Sequence, residues 1–379
     1  MGTATYFLFL FGVFIAGMVV MTAYYLFSER REFMEISDQP FRCRLNKAGA
    51  IQSLFLILAC VLFCFLCPDK EWIKNNQMYF VCALFAGFGL IGLVPLKNKA
   101  CHVGVAFLQI AGIAAALLLL PENSFFFNFD IPKWLDKVCA GALWFAVLRL
   151  LMRMDKLDSF TAVQGTSVGL ACAAALFVTI PLSAVFFQFS GILFAVSAVL
   201  CIFFALGSEI PSSPVFKNVF AFALSWAAFY MASQGRWGNG ALLLAYPLAE
   251  AVIFACRSIK GALLKEKPLF LFESLQNRNF PDWYIIRYVF RRNLLLDGLF
   301  LLSLMAQKQY QPVILAGLFM LDYYLRAVSP KRDDSIKSLF KNMTKDAKKS
   351  FKETNKAFSD LKEMYKNKSE NKQGKSDDK

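Results

Sequence analysis

The chain has 379 residues, 57 % of them hydrophobic and only 18 % charged, with a formal net charge of +14 and a mean hydropathy of +0.48. Soluble domains are close to half apolar and about a quarter charged, so this composition excludes an ordinary soluble core. The basic excess does not point to nucleic acid. Its lysines and arginines lie in short segments between apolar runs and in the C-terminal tail, the pattern of cytoplasmic loops in a membrane protein.

The apolar residues fall into runs of the length that a helix needs to cross a bilayer. In chain order there are about eleven, at 6–27, 50–67, 78–96, 103–120, 138–152, 162–180, 185–206, 219–234, 240–256, 293–306 and 311–328. The first has no basic n-region and no small-residue cleavage site, so it reads as a retained span and not as a signal peptide. Between runs, "SERREF" with "FRCRLNK", then "PLKNK", "RMDK", "CRSIKGALLKEK" and "RYVFRRN" are basic and fall on one side. "PDKEWIKNNQ" and "PENSFFFNFD" alternate with them and are weakly or mixedly charged. Lys and Arg are retained on the cytoplasmic side, which places the N-terminus outside and the C-terminus inside. The expected fold is all-α: a polytopic membrane helix bundle of about eleven transmembrane helices over residues 1–330.

The segment from Ser258 to Arg292 is the longest cytoplasmic loop. Its Pro268 and Pro281, with Phe270, Phe272, Trp283 and Tyr284, either shape a cytoplasmic pocket or anchor an interfacial linker. Beyond the bundle, Ile336, Phe340, Met343, Ala347, Phe351, Phe358, Leu361 and Tyr365 recur at helical spacings among lysines. Residues 331–366 are therefore expected to form a cytoplasmic amphipathic basic helix, suited to anionic lipid or to another helix. Residues 367–379 are polar and charged and are expected to be disordered.

Cys60, Cys64, Cys82, Cys172 and Cys201 lie inside apolar runs, where cysteine behaves as a small hydrophobe. His102 is the single histidine, so a zinc site has few candidate ligands. Ionisable groups in or beside spans carry more weight, because each is costly to place there. They are Arg149, Asp155, Asp158, Glu250, Asp297 and Asp322. Asp297 and Asp322 fall near run ends, within reach of the interface, and Asp322 precedes Arg326 by one helical turn, a structural ion pair. Asp155 and Asp158, three residues apart, share a helix face. On the cytoplasmic side they can hold magnesium or accept hydrogen bonds from a nucleotide. Arg153 and Lys156 beside them fit a solvated charged loop, the reading that spacing alone favours because D-x-x-D is a common pattern.

The stretch "DKVCAGALWFAVLRLLMRMDKLDSFTAVQGTSVGLACAAALF" resembles the fifth-to-sixth helix segment of the polyprenyl-phosphate sugar-1-phosphate transferases, which reads N-x-x-N-x-x-D-G-x-D-G-L-A. Other blocks follow in the same order. "LNKAGAIQS" stands where that family has K-x-P-T-x-G-G, and "GFGLIGLVPLKN" where it has G-x-x-D-D. "SEIPSSPVFKNVFAFAL" is similar to its P-A-x-x-F-M-G-D-x-G-S block, "YPLAEAVIFACRSIKG" to its Y-P-x-x-D segment, and "KPLFLFESLQNRNF" to its acid and H-x-H-H stretch. The resemblance runs from Lys47 to about Val328 and rests on order, spacing and topology more than on identities.

The resemblance implies a cytoplasmic-face site that transfers a sugar phosphate from a UDP-sugar to a polyprenyl phosphate with Mg2+. It implies catalytic candidates Asp155, Asp158, Glu250 and Glu273, with Asp155 and Asp158 as metal ligands. Lys47 stands at the family's substrate-side lysine, and Arg149, Arg153, Lys156, Lys217 and Arg278 are the cations whose charge would suit a phosphate-bearing substrate in place of the metal. Several positions depart from the family pattern. The acid pair ending the third helix is Pro95 and Leu96, the two asparagines are Arg149 and Met152, and Lys156 and Ser159 replace glycines. The Gly-Asp pair is Asn218 and Val219, and the histidine positions are Gln276, Arg278 and Asn279. Magnesium is held mainly by carboxylates and phosphates, so these losses remove most of its expected ligands. The expectation put first is a catalytically impaired relative that acts as partner or scaffold in lipid-linked sugar and cell-envelope polysaccharide assembly. It would sit in a bacterial inner membrane, in contact with membrane lipid and with a protein partner or a second copy. The alternatives are an active transferase with a rearranged site and a polytopic transporter.

Overall fold

The computed structural model describes residues 2–32, 42–94, 99–120, 132–154, 160–178, 184–205, 213–264 and 282–305, and most of 311–321. The chain divides into two compact units, residues 1–321 and 322–379. The expected tail helix and the Asp322–Arg326 pair lie outside the described residues.

Every described element is a helix. In order they are α1 (Thr3–Glu32), α2 (Arg42–Leu66), α3 (Lys70–Asn75), α4 (Met78–Leu93), α5 (Lys99–Leu118) and α6 (Lys133–Met154). Then follow α7 (Phe160–Ala175), α8 (Ala184–Ala205), α9 (Pro214–Ser233), α10 (Trp237–Leu243), α11 (Ala245–Leu264) and α12 (Asp282–Leu304). Stretches within α1, α2, α5, α8 and α9 are long and apolar enough to cross a membrane, and α10 with α11 make a sixth if that bent pair is one span. The apolar helices α4 and α7 are shorter.

Helix lies under each apolar run from 6–27 to 293–306, but several bounds move outward. α2 begins at Arg42 and α6 at Lys133, because nothing in their basic starts forbids helix. α12 begins at Asp282, so the expected loop from Ser258 to Arg292 is helical at both described ends. A short helix, α3, occupies the mixed-charge connection. Asp69 caps it by accepting from the Trp72 amide at 2.9 Å, and Lys70 Nζ donates to the Cys64 carbonyl at 3.0 Å, closing the end of α2. The run 240–256 is broken: α10 and α11 meet at 74° around Leu244. Pro247 explains the break, since its ring clashes with the carbonyl four residues back and it has no N–H to donate.

α8 and α9 form the centre. Buried residues make up 78 % and 83 % of their apolar stretches, against 28 % for α1 and α5. Lipid tails are as apolar as leucine, so helices in a membrane associate through close packing of small residues. α7 shows this, with Gly165 and Gly169 one turn apart against α8. A Cβ at Gly169 would collide with the Phe194 backbone, and one at Gly165 with Ser197. The α4–α6–α9 face is instead aromatic. Phe88 stacks on Phe222 at 4.1 Å, and Trp144 stacks on Phe222 and Phe229 at 5.7 and 4.9 Å. The Trp144 indole N–H also donates to Ser225 Oγ at 2.7 Å, which fixes the rotation of α6 against α9.

Candidate functional site

One end of the bundle gathers the termini of helices that are distant in sequence. α9 starts there on a serine cap: Ser213 Oγ accepts from the Val215 amide at 3.2 Å and Pro214 opens the helix. Two other helices press against this start. A Cβ at Gly92, near the end of α4, would lie 2.5 Å from Val215 Cα, and one at Gly49, near the start of α2, would lie 2.8 Å from Ser213 Cβ. The backbone of α2 that carries Lys47 is thereby brought to the turn that carries Lys217. The Lys47 side chain itself lies outside the described ones.

Next to this junction Gln109 of α5 joins three elements. Its Nε2 donates to Asn218 Oδ1 on α9 at 2.7 Å and points to Met152 Sδ on α6 at 3.3 Å. Its Oε1 accepts from Arg149 Nη1 on α6 at 3.3 Å. Asn218 Nδ2 in turn donates to the Pro214 carbonyl at 2.8 Å. Gln109 and Asn218 are buried, whereas Arg149 and Arg153 are exposed. Arg149, Met152 and Asn218 are thus brought together although 66 residues separate Met152 from Asn218 in sequence. Gln109 was missed as a site residue. Its only signal is an amide in the middle of the apolar "AFLQIAGI".

Arg153, one turn beyond Arg149, lies 4.6 Å over the Phe254 ring of α11, a cation–π contact. Behind it runs an apolar groove of 110 Å³, lined on α6 by Leu143 and Val147 and on the opposite side by Phe229, Ala241, Leu244 and Leu248. Val147 precedes Arg153, and Leu248 precedes Phe254, by six residues or ~9 Å of helix. The groove lies between α6, α9, α10 and the start of α11, and the guanidinium stands further along α6 and α11 from its lining residues Val147 and Leu248.

Glu250 is fully buried on α11 and accepts from the Tyr246 hydroxyl at 3.1 Å. The Tyr246 ring lies 5.9 Å from that of Phe160, the first residue of α7, which places Glu250 near the chain that follows residues 155–159. Asp155, Lys156, Asp158, Glu273 and Arg278 lie outside the described residues. Lys217 is half-buried in the first turn of α9.

The donor chemistry of the described cluster does not suit magnesium. Mg2+ takes hard oxygen ligands in an octahedron, and here a guanidinium repels it, a thioether is soft, and the two amides are engaged with each other. Among the described residues, no three His, Cys, Asp or Glu side chains are close enough to share a metal. Cys64 and Cys67 do stand at a C-x-x-C spacing at the end of α2, a pattern that the view of the cysteines as small hydrophobes passes over. Both are free and buried.

Asp297 departs from expectation. Expected within reach of the interface, it is 8 % exposed, fifteen residues into α12 and bonded to Ser167 of α7.

The fold and its apolar helices define the class: a helical integral membrane bundle. No known family model matches the chain, and no curated protein does.

Proposed function

We propose that this chain binds a lipid phosphate at the cytoplasmic end of a bundle of about eleven spans, N-terminus out and C-terminus in. On this reading it is a relative of the polyprenyl-phosphate sugar-1-phosphate transferases that has lost magnesium-dependent transfer. It serves lipid-linked sugar assembly in a bacterial inner membrane as a partner or scaffold. The observation that carries the proposal is the meeting of Arg149, Met152, Asn218 and Gln109, with Arg153 one turn further on α6 and ~9 Å of helix from Val147 in the lining of an apolar groove. Arg149 and Met152 stand where the resemblance places asparagines, and Asn218 with Val219 where it places a Gly-Asp pair. In their stead stand a cation and amides that occupy one another. An anionic head with a long apolar tail is the ligand that such a pairing of guanidinium and groove accommodates. Phosphoryl transfer depends on positioning and on a cation that stabilises the developing charge, and the surviving groups supply the first more than the second.

The test is magnesium-dependent release of UMP from a UDP-sugar in membranes that contain only this protein. No release above empty membranes is expected. Release that Asp155→Asn and Asp158→Asn abolish would overturn the loss of catalysis. That outcome would favour the second reading, an active transferase built on Asp155, Asp158, Glu250 and Glu273, for which the burial of Glu250 beside Tyr246 speaks. A transporter draws on the 74° break between α10 and α11 and on the buried Asp297. Proton- or sodium-driven solute flux in proteoliposomes would be its mark.

A further inference from the structure

α12 carries a stripe of polar side chains inside the protein. Asn293, Asp297 and Ser303 are 1 %, 8 % and 2 % exposed. Each is tied to another helix. Asn293 Nδ2 donates to Gln164 Oε1 of α7 at 2.9 Å. Ser167 Oγ of α7 donates to the two Asp297 oxygens, at 2.9 and 2.8 Å. Asn239 Nδ2 of α10 donates to Ser303 Oγ at 2.7 Å. Asn293 and Asp297 are one turn apart on α12, as Gln164 and Ser167 are on α7, so the four close one seam between the two helices.

Two features of this seam are incomplete. Among the described residues the Asp297 carboxyl accepts from a neutral hydroxyl, and an ionised carboxylate inside a bundle retains a large desolvation cost unless a cation or several donors meet it. Asn293 Oδ1, also buried, has no hydrogen-bond partner among the described residues. Residues four apart on a helix have Cβ atoms about 5–6 Å apart, a separation that a carboxylic O–H bridges to an amide oxygen. One proton completes both. It neutralises Asp297 and supplies the donor that Asn293 Oδ1 lacks, while Ser167 continues to bond the carboxyl group.

We propose that Asp297 holds a proton at neutral pH and forms, with Asn293, Gln164 and Ser167, an intramembrane proton-binding site between α7 and α12. The helices packed against α12 are α7, α10 and α11. The titratable or charged groups that they carry among the described side chains are Cys172 on α7, Arg236 at the start of α10, and Tyr246, Glu250 and Cys256 on α11. Arg236 Nη1 donates to the Leu304 carbonyl, seven residues or ~10 Å along α12 from Asp297. Glu250 accepts from Tyr246. The site does not depend on the lipid-phosphate reading, since none of its four residues belongs to the Gln109 cluster or to the groove.

The test is infrared spectroscopy of the purified full-length protein in lipid nanodiscs, with wild type labelled by 13C-aspartate to identify aspartate bands. At neutral pH, wild type is expected to show a carboxylic-acid C=O stretch that Asp297→Asn removes. Asn293→Leu is expected to shift that band to higher frequency, because the acceptor of its O–H is gone. Should Asp297→Asn fail to fold, alkaline titration of labelled wild type serves instead: the acid band must persist through neutral pH and give way to carboxylate only above it. Absence of a labelled acid band at neutral pH would overturn the proposal. So would sodium-dependent stabilisation that Asp297→Asn abolishes, which would make the group a carboxylate ligand for a metal cation.

Discussion

Replacing Gln109 by leucine tests the geometry of the candidate site. The change keeps side-chain volume nearly constant, so no cavity cost is added. It strips Asn218 Oδ1, on a side chain 3 % exposed, of the donor that lies 2.7 Å away. An orphaned buried acceptor costs about 1–3 kcal/mol. The Met152 sulfur is a weak acceptor and adds little, and exposed Arg149 exchanges its bond for water. The expected loss is therefore about 1–3 kcal/mol, or several degrees of melting temperature at about 2–4 °C per kcal/mol. The double change Gln109→Leu with Asn218→Leu removes donor and acceptor together, and such paired removals are close to neutral. The Pro214 carbonyl, which also loses Asn218 Nδ2, remains a backbone acceptor within α9. Thermal unfolding of the single and double variants in one detergent reads the coupling directly. The double variant is expected to melt above Gln109→Leu. If its loss instead equals the sum of the two single losses, Gln109 and Asn218 are not partners, and the site as described is wrong.

Further expectations concern the frame and the groove. Gly169→Ala drives a methyl into the Phe194 backbone and is expected to cost about 1–3 kcal/mol or more as overpacking; an unchanged melting temperature would mean that α7 and α8 are not in close contact. Trp144→Phe keeps an aromatic ring against Phe222 and Phe229 but loses the bond to Ser225. A stability loss of about 0.5–1.5 kcal/mol is expected from denaturant unfolding. Ala241→Trp places a large ring in the 110 Å³ groove. It is expected to weaken binding of a long-chain lipid phosphate roughly tenfold, about 1.4 kcal/mol, without lowering the melting temperature. Equal affinity in both proteins would remove the groove from the site.

Much of the frame was legible because bilayer thickness acts directly on sequence: apolar run length gives helix, and helix lies under each run from 6–27 to 293–306. Local breaks were harder to read. Pro247 sits in the third position of α11, where proline is ordinarily tolerated, and nothing local in the sequence marks that the chain turns there by 74°. At the site, the resemblance singled out Arg149, Met152 and Asn218 as departures from a motif, and their convergence is a property of packing that spacing alone does not encode. Gln109 and Gln164 were invisible for another reason. An uncharged amide in an apolar run carries no chemistry until a partner on another helix is known. Run 293–306 begins four residues before Asp297, which reads as a position near a span end, whereas α12 starts at Asp282 and its Asp297 side chain is buried against α7.

Direct binding of a polyprenyl phosphate to the purified full-length protein, measured with magnesium and again with EDTA, addresses the central claim most closely. Saturable binding of equal affinity in both conditions is predicted, falling roughly 10–100-fold in Arg149→Ala and Arg153→Ala, as loss of a charge-assisted contact of about 1.5–3 kcal/mol requires. Binding that appears only with magnesium, or that neither arginine affects, would contradict it.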